Sequence, residues 1–295
     1  MVALVDADGL IYLAGFGVEK TRYWVLLEDG SRFDFDTHKE MKDFEPGMEV
    51  IDSGKYVECG PLSHALQIVK NKLETIRTMY GPMEVYIRAL EQRNYRDAIA
   101  TVAKYKGNRD NAHKPKYLQE IRDYLVTRYA AIQVADQEVD DEIGCRMTEL
   151  GHSDYVICSP DKDLDQFPGK HWNYRSDVEY DVEPEEAMRW FWIQTLCGDS
   201  SDNIKGCWKM GEKKAEALVD EWLEAGVKDE WMWELVVGQY MDSTQQETCP
   251  YLGRDPQEIA LENARLVYMR HNRRELWTPP GQPMEYEEHE VSLDG

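Results

Sequence analysis

No apolar run in the chain approaches the roughly 18 residues that a membrane span requires, so no membrane partner is expected. The opening does not read as a secretory leader either: Met1-Val2-Ala3-Leu4-Val5 lacks a basic n-region and meets Asp6 and Asp8 at once. Six scattered cysteines form no C-x-x-C, and seven histidines offer no pair at metal-ligand spacing, which disfavours zinc and a disulfide framework. Reduced thiols in a cytoplasmic protein, in the host cytoplasm if the source is viral, are the simplest expectation. Cys145, Cys158 and Cys197 lie in apolar surroundings and read as small core residues. There is no G-x-S-x-G and no Ser-His-Asp order, and Gly15-Phe16-Gly17 lacks the third glycine of a dinucleotide fingerprint.

Positive charge is also scarce. Thirty-four Lys and Arg stand against 57 Asp and Glu, a formal net charge of −23, whereas long-range attraction to a polyanion normally comes from basic surface. Locally the balance is reversed. Between Arg88 and Arg128 ten basic residues face five acidic ones, and Tyr95-Arg96 and Tyr105-Lys106-Gly107-Asn108-Arg109 mix aromatics with cations. Such a mixture suits phosphate contacts and base stacking on a single strand, although a solvated helix face explains it equally well when taken alone.

What the chain has in excess is clustered carboxylate. Glu138-Val139-Asp140-Asp141, Asp161-Lys162-Asp163 and Asp199-Ser200-Ser201-Asp202-Asn203 each follow a short apolar run, and Asp6 ends the first such run. Any one cluster could cap a helix or complement its dipole, but capping gives no reason for recurrence at strand ends. Like charges brought together raise one another's pKa, a convergence tolerable mainly when divalent cations neutralise it. The residue types point to hard oxygen ligands for Mg²⁺, with Mn²⁺ as a substitute. Lys106 is the sharpest basic candidate, because an ammonium near a bound phosphate can offset charge developing in a transition state.

The pattern predicts strands at 1–5, 83–87, 131–134 and 155–158, a hairpin over 23–36, and helices at 62–80, 116–129 and 140–150. Alternation of short apolar strands with helices predicts an α/β fold with a mostly parallel central sheet flanked by helices, its ligands at the carboxyl ends of the strands. Beyond residue 184 the pattern turns helical, over 185–197, 212–223, 229–240 and 256–269. The expected organisation is a core at 1–183 containing the basic segment 88–130, a helical region at 184–278 and an acidic tail at 279–295. Gly206 and Gly211 frame a tight turn just before a helix carrying Lys213 and Lys214, which would present backbone N–H groups to a phosphate. At 34.4 kDa the chain can bury a substantial core.

Together these motifs resemble the phage and bacterial 5′→3′ exonuclease and flap-endonuclease family, most closely its phage exonucleases. Val5-Asp6-Ala7-Asp8 is similar to the family's opening strand and first metal ligand. Tyr105-Lys106-Gly107-Asn108-Arg109 is similar to the Y-K-x-N-R of its helical arch, through which single-stranded 5′ ends pass. Glu138-Val139-Asp140-Asp141 resembles E-x-D-D, Ser159-Pro160-Asp161-Lys162-Asp163 resembles S-x-D-x-D, and Gly198 to Asn203 resembles G-D-x-x-D-N. Residues 204–215 resemble a helix-hairpin-helix-like element that grips duplex DNA and often a monovalent cation such as K⁺. Glu91 stands where the family usually has an aspartate, and residues 18–60 look like an insertion relative to it.

The resemblance implies a PIN/resolvase-like nuclease core and a structure-specific 5′→3′ exonuclease or flap endonuclease acting through two divalent ions. Asp6, Glu138, Asp140 and Asp161 would centre on one ion, and Asp163, Asp199 and Asp202 on the other, with Asp141 in either shell and Glu91 as a further candidate ligand. Lys106 would act as electrophile while Arg96 and Arg109 position the strand and Tyr105 joins the nucleic-acid contacts. DNA with a free 5′ end, a nick or a 5′ flap is the implied substrate, with RNA in RNA–DNA hybrids compatible and a monomer expected. Two rivals make different demands. A haloacid-dehalogenase-like phosphatase would use Val5-Asp6-Ala7-Asp8-Gly9 as D-x-D-G with Lys162 as its lysine, but it leaves Glu138, Asp140 and residues 105–109 without a task. A non-catalytic DNA-binding relative would have no need of a full ligand set.

Overall fold

The computed structural model describes residues 1–91, 94–109, 113–151 and 154–287. In chain order its elements begin with β1 (Val2–Asp6), α1 (Asp8–Phe16), β2 (Glu19–Leu27), β3 (Arg32–Phe35), α2 (His38–Lys42), β4 (Val50–Cys59), α3 (Leu62–Tyr80), β5 (Met83–Arg88) and α4 (Tyr95–Ile99). Then follow α5 (Leu118–Tyr129), β6 (Ile132–Val134), α6 (Val139–Leu150), β7 (Tyr155–Cys158), β8 (Gly169–Asn173) and β9 (Val178–Val182). The last are α7 (Pro184–Cys197), α8 (Glu212–Glu224), α9 (Asp229–Thr244), α10 (Pro256–Val267), β10 (Glu275–Leu276) and β11 (Glu285–Tyr286). Of the expected acidic tail, Glu288, Glu290 and Asp294 lie outside the described residues.

The chain divides into two compact units, one of residues 1–7, 76–112 and 131–295, the other of residues 8–75 and 113–130. The first holds a six-stranded sheet in the order β6-β5-β1-β7-β8-β9. The β1, β5, β6, β7 and β8 pairings are parallel, and only β9 runs antiparallel, against β8. A mixed α/β architecture with a mostly parallel central sheet is therefore present. β1 lies inside it because Ala3, Leu4 and Val5 are fully buried, as expected of a strand covered on both faces. Burying a side chain such as Leu4 stabilises by about 1.5–3 kcal/mol. α6 packs on β1, β5 and β7, contributing Val139, Ile143 and Met147 to a core shared with Leu4, Tyr86, Ile157 and Phe167.

A second core joins α7 to α10, around Trp192, Leu196, Val219, Met232, Tyr240 and Ile259. α7 starts with Pro184 and a Glu183–Glu186 capping box. α10 starts at Asp255, whose carboxylate accepts from Gln257 N and Glu258 N, with Pro256 next. Tyr105 enters this core at 4% exposure, which ties the basic segment to the helices.

The other unit contains a three-stranded antiparallel sheet, β3-β2-β4, and α1 packed on α5. β2 and β3 form the expected hairpin. β4 was not foreseen, nor were β8 and β9. Nearly every β4 residue is exposed, so this edge strand carries no inside–outside alternation by which it could be recognised.

Candidate active site

The carboxyl ends of adjacent strands deliver the first acids. Asp6 ends β1 at 5% exposure. Its Oδ2 accepts from Ser159 Oγ at 2.8 Å, and the Tyr174 hydroxyl donates to its backbone carbonyl at 2.9 Å. Ser159 immediately follows β7 and accepts from Asp161 N at 3.1 Å, so one hydroxyl joins the ends of two neighbouring strands. Asp161 turns back over its own loop to accept from Asp163 N at 3.0 Å. Gln194 of α7 donates to Asp163 Oδ1 at 2.6 Å. Glu138 is the N-cap residue of α6, with Asp140 and Asp141 in its first turn.

After α7 the chain reverses within a few residues. Gly198 and Gly206 adopt φ of +71° and +64°, and a Cβ on Gly206 would stand 2.3 Å from the Cys197 carbonyl carbon, so only glycine fits. Asp199 and Ile204 exchange backbone hydrogen bonds of 3.0 and 2.8 Å across the turn. Asp199 accepts from Ser201 N and Ser201 Oγ at 2.7 and 2.9 Å. Residues 104–109 lie on this turn: Lys106 N donates to Asp202 O at 2.8 Å, Asn108 to Ser200 O at 2.9 Å and Asn203 to Lys104 O at 2.8 Å. Lys106 sits at φ +51°. Its ammonium pairs with Glu138 and stands 3.4 Å from Asp202 Oδ2, while Arg109 pairs with Asp202 from the solvent side. The Tyr105 hydroxyl lies 2.7 Å from Glu138 Oε2 and 2.8 Å from Asp202 Oδ2; having one proton, it donates to one of them at a time.

The acids therefore occupy two kinds of surroundings. Burial and the charges of Asp6, Asp161 and Glu138 hold the Asp140 carboxyl well above the usual carboxylate range. Burial together with Asp161, Asp199 and Asp202 raises Asp163 to about 8. Burial would likewise raise Glu138, but Lys106 and Arg96 overcome it and bring its carboxyl down to about 2. Asp202 remains raised because burial outweighs Lys106 and Arg109.

Several expected roles change. Arg96 is 1% exposed, and its guanidinium makes a bidentate pair with Asp141 at 2.6 and 3.0 Å. It also donates to Leu266 O at 2.9 Å and Tyr268 O at 2.6 Å. With every edge of the fork used inside the protein, Arg96 holds Asp141 rather than a phosphate. Asp141, fully buried and also accepting from Arg270 N at 3.1 Å, is a structural anion rather than an ion ligand. Tyr105 is a core residue with a hydroxyl in the site, so its ring is not a stacking platform. The Gly206 N–H already donates to buried Asn263 Oδ1 at 3.0 Å and is not offered to a phosphate. Gly211, by contrast, is the exposed N-cap residue of α8, followed by exposed Lys213 and Lys214. Glu91 is exposed in the turn after β5.

The all-oxygen donor set suits a hard divalent cation. Among the described residues, however, no three Asp, Glu, His or Cys side chains converge as a ligand set for one ion. Glu138 pairs with Lys106, and Asp202 lies against Lys106 and Arg109. The phosphatase reading finds no support. Lys162 pairs with Glu212 at 3.0 Å and lies over the Trp190 ring, and the Asp6 carboxylate accepts from Ser159 Oγ.

Sequence reasoning gave no separate role to Ser159, Tyr174, Gln194, Glu262 or Asn263. Ser159 stood inside a recognised motif and Asn263 in a weaker echo of the family pattern at residues 263–266, but groups that brace a site across long stretches of chain leave no spacing signal of their own.

No protein-family model matches the chain. A solved structure of T5 5′-exonuclease with bound divalent metal ions (zinc) superposes with a TM-score of 0.55 at 15% identity, covering 90% of this chain and 88% of that one. T5 D15 protein co-crystallised with metal ions gives 0.53 at 16% over the same shares. The chain has the 5′-exonuclease fold. In sequence it is 31% identical over 112 residues to a 5′-3′ exonuclease of Halalkalibacterium halodurans, covering 32% of this chain and 35% of that protein. It is 24% identical over 211 residues to the thermostable DNA polymerase I of Thermus caldophilus, covering 61% of this chain and 25% of the polymerase. The chain thus spans about a third or less of these curated relatives. The likeness to the 5′→3′ exonuclease family, first suggested by ordered motifs, holds in both sequence and fold. No described helix is long and apolar enough to cross a membrane.

Proposed function

We propose that this protein is a structure-specific 5′→3′ exonuclease or flap endonuclease that hydrolyses DNA phosphodiester bonds with the help of divalent metal ions. The observation that carries the reading is the neighbourhood of Asp6, Asp140 and Asp161 around the ends of the parallel strands, with Asp163, Asp199, Asp202 and Glu138 beside them and Lys106 standing between Glu138 and Asp202, in a chain of 5′-exonuclease fold. A serine- or cysteine-based hydrolase has no use for seven carboxylates. An enzyme that must hold cations against a phosphate does.

Asp6, Glu138, Asp140 and Asp161 would hold one Mg²⁺, and Asp163, Asp199 and Asp202 a second, with Mn²⁺ as a substitute. Bound there, the ions would supply Lewis acidity and a more acidic water. The chain's own contribution is positioning. Ser159 fixes the Asp6 and Asp161 ends, Gln194 fixes Asp163, and Arg96 fixes the start of α6 through Asp141. Lys106, shared between Glu138 and Asp202, is the group able to turn toward a phosphate and offset its developing charge. Exposed Arg109, Lys213 and Lys214 are suited to backbone phosphates. A K⁺ ion at the 204–212 turn, RNA in hybrid duplexes, action as a monomer in the cytoplasm and a place in phage DNA replication or primer removal complete the proposal.

The test is degradation of nicked or 5′-flapped duplex from the labelled 5′ side in Mg²⁺. Asp199→Asn is expected to abolish cleavage and spare DNA binding. Release of phosphate from a small phosphomonoester with the labelled DNA left intact would defeat the reading, and DNA binding without cleavage in any divalent ion would leave the non-catalytic alternative standing.

A further inference from the structure

Two adjacent residues of α10, Glu262 and Asn263, are buried polar groups, at 9% and 1% exposure. Burying a carboxylate is costly unless charge-assisted hydrogen bonds compensate it. Glu262 has them: Oε1 accepts from the backbone N–H groups of Thr101 and Val102, each at 2.8 Å, and Oε2 accepts from the Thr101 hydroxyl. Arg254 completes the group by donating to Thr101 Oγ1 at 2.7 Å. These two N–H groups follow the end of α4 at Ala100, and the chain then runs directly to Tyr105 and Lys106. Asn263 accepts from Gly206 N at 3.0 Å and donates to Ile259 O at 2.9 Å, holding the far side of the turn that carries Asp199 and Asp202. Just beyond, the Leu266 and Tyr268 carbonyls receive Arg96. One helix and its exit thus tie down the segments bearing Lys106, Asp199 and Asp202, and Glu138 with Asp140.

We propose that Glu262 is a positioning residue for the reaction: its carboxylate fixes residues 101–102 and so sets where Lys106 stands between Glu138 and Asp202. The inference rests on the nuclease reading for its kinetic consequence but not for its structural one. Removing the carboxylate leaves two backbone N–H groups without their acceptor, so the 101–109 segment shifts. A displacement on the order of 1 Å costs up to about a hundredfold in rate.

The experiment compares Glu262→Ala and Glu262→Gln with wild type in two assays. Site-resolved labelling of the Lys106 amine by a water-soluble acylating reagent reads the lysine's shelter without requiring catalysis. Steady-state cleavage of a 5′-flapped duplex in Mg²⁺ separates kcat from KM. Glu262→Ala is expected to raise Lys106 labelling several-fold and to lower kcat about 10- to 100-fold with KM within about twofold. Glu262→Gln retains an acceptor oxygen and should recover most of both. If Glu262→Ala does not fold, Thr101→Val removes one bond of the same clamp and should move both readouts in the same direction by less. Unchanged Lys106 labelling in a folded Glu262→Ala protein, or a loss confined to KM, overturns the proposal. A wild type that cuts no DNA overturns the nuclease reading instead and leaves the labelling result to decide this one.

Discussion

Glu138 and Asp140 lie two residues apart at the start of one helix, yet their surroundings pull in opposite directions. Asp140 faces Asp6 and Asp161, and its carboxyl is pushed up. Glu138 faces Lys106 and Arg96, and its carboxyl is brought down to about 2. The site thus has a half in which carboxylates confront one another and a half in which they are neutralised by the protein's own cations. In the first, folding stability and ion affinity oppose each other, because the repulsion that a cation would relieve is borne by the fold. In the second they are allied at Glu138, whose cations outweigh its burial, while at Asp202 burial still outweighs Lys106 and Arg109. Such a division also explains why Lys106 is central: it balances the second half, and in the proposed reaction it would exchange a carboxylate for a phosphate.

The largest effect should come from the residue behind both halves. Arg96 pairs with fully buried Asp141 and stands 3.2 Å from partly exposed Glu138. Arg96→Ala strands a buried anion, which typically costs about 3–5 kcal/mol and would show as a lowered urea midpoint. Arg96→Lys should recover little, because an ammonium cannot reproduce a bidentate fork. A loss under about 1 kcal/mol would mean that Asp141 finds another partner and that the halves are not braced from behind.

Next in size is a pair of isosteric changes with opposite thermal consequences. Asp140→Asn should lower turnover on flapped duplex by roughly 10²- to 10³-fold, yet raise the Tm measured without divalent ions, because one repelling charge is gone. Glu138→Gln should also impair turnover but lower the Tm, because Lys106 and Arg96 lose an anionic partner. Tm shifts of the same sign would break the comparison.

A smaller effect concerns pH. Asp163 holds its proton in the folded protein to about pH 8, against about 4 for an unperturbed aspartate. Its folded pKa is the higher one, so the stability it contributes is fully present below about pH 4 and is lost as pH rises through 8. In chelator, Tm should therefore decline between about pH 4 and 8; saturating Mg²⁺ should flatten that decline and release protons at pH 7, detectable as a buffer-dependent heat of binding. Equal slopes with and without Mg²⁺ would place Asp163 outside the ion site.

Much of this arrangement was legible in the sequence. Asp6 after Ala3-Leu4-Val5, and Asp161 after Val156-Ile157-Cys158, announced acids at the ends of buried strands, and burial of those runs is nearly complete. What stayed hidden depends on partners distant in the chain. Nothing local distinguishes Asp141 from Asp140, and only the approach of Arg96, 45 residues away, makes one a buried ion-pair member and the other a repelled acid. The same gap concealed Arg96 itself, whose basic neighbourhood suggested a phosphate contact. β8 was missed because only His171 and Trp172 of its five residues are buried, too short a pattern to carry a period of two.

The smallest expected effect tests the outer limit of the cation-paired half. Arg109 is 50% exposed, pairs with Asp202 and donates from Nε to Ser201 O at 3.1 Å. Exposed ion pairs are worth about 0–1 kcal/mol, so Arg109→Ala should barely move the Tm. If its guanidinium is presented to the DNA backbone, affinity for flapped and nicked duplexes should fall by similar factors, and the slope of log affinity against log salt should lessen by about one. Fluorescence anisotropy at several salt concentrations measures both, and kcat should hold near wild type. The informative failure is a drop in kcat with an unchanged salt slope. Arg109 would then act through Asp202 on the carboxylates, and the cation-paired half would extend to the surface of the molecule instead of ending at Lys106.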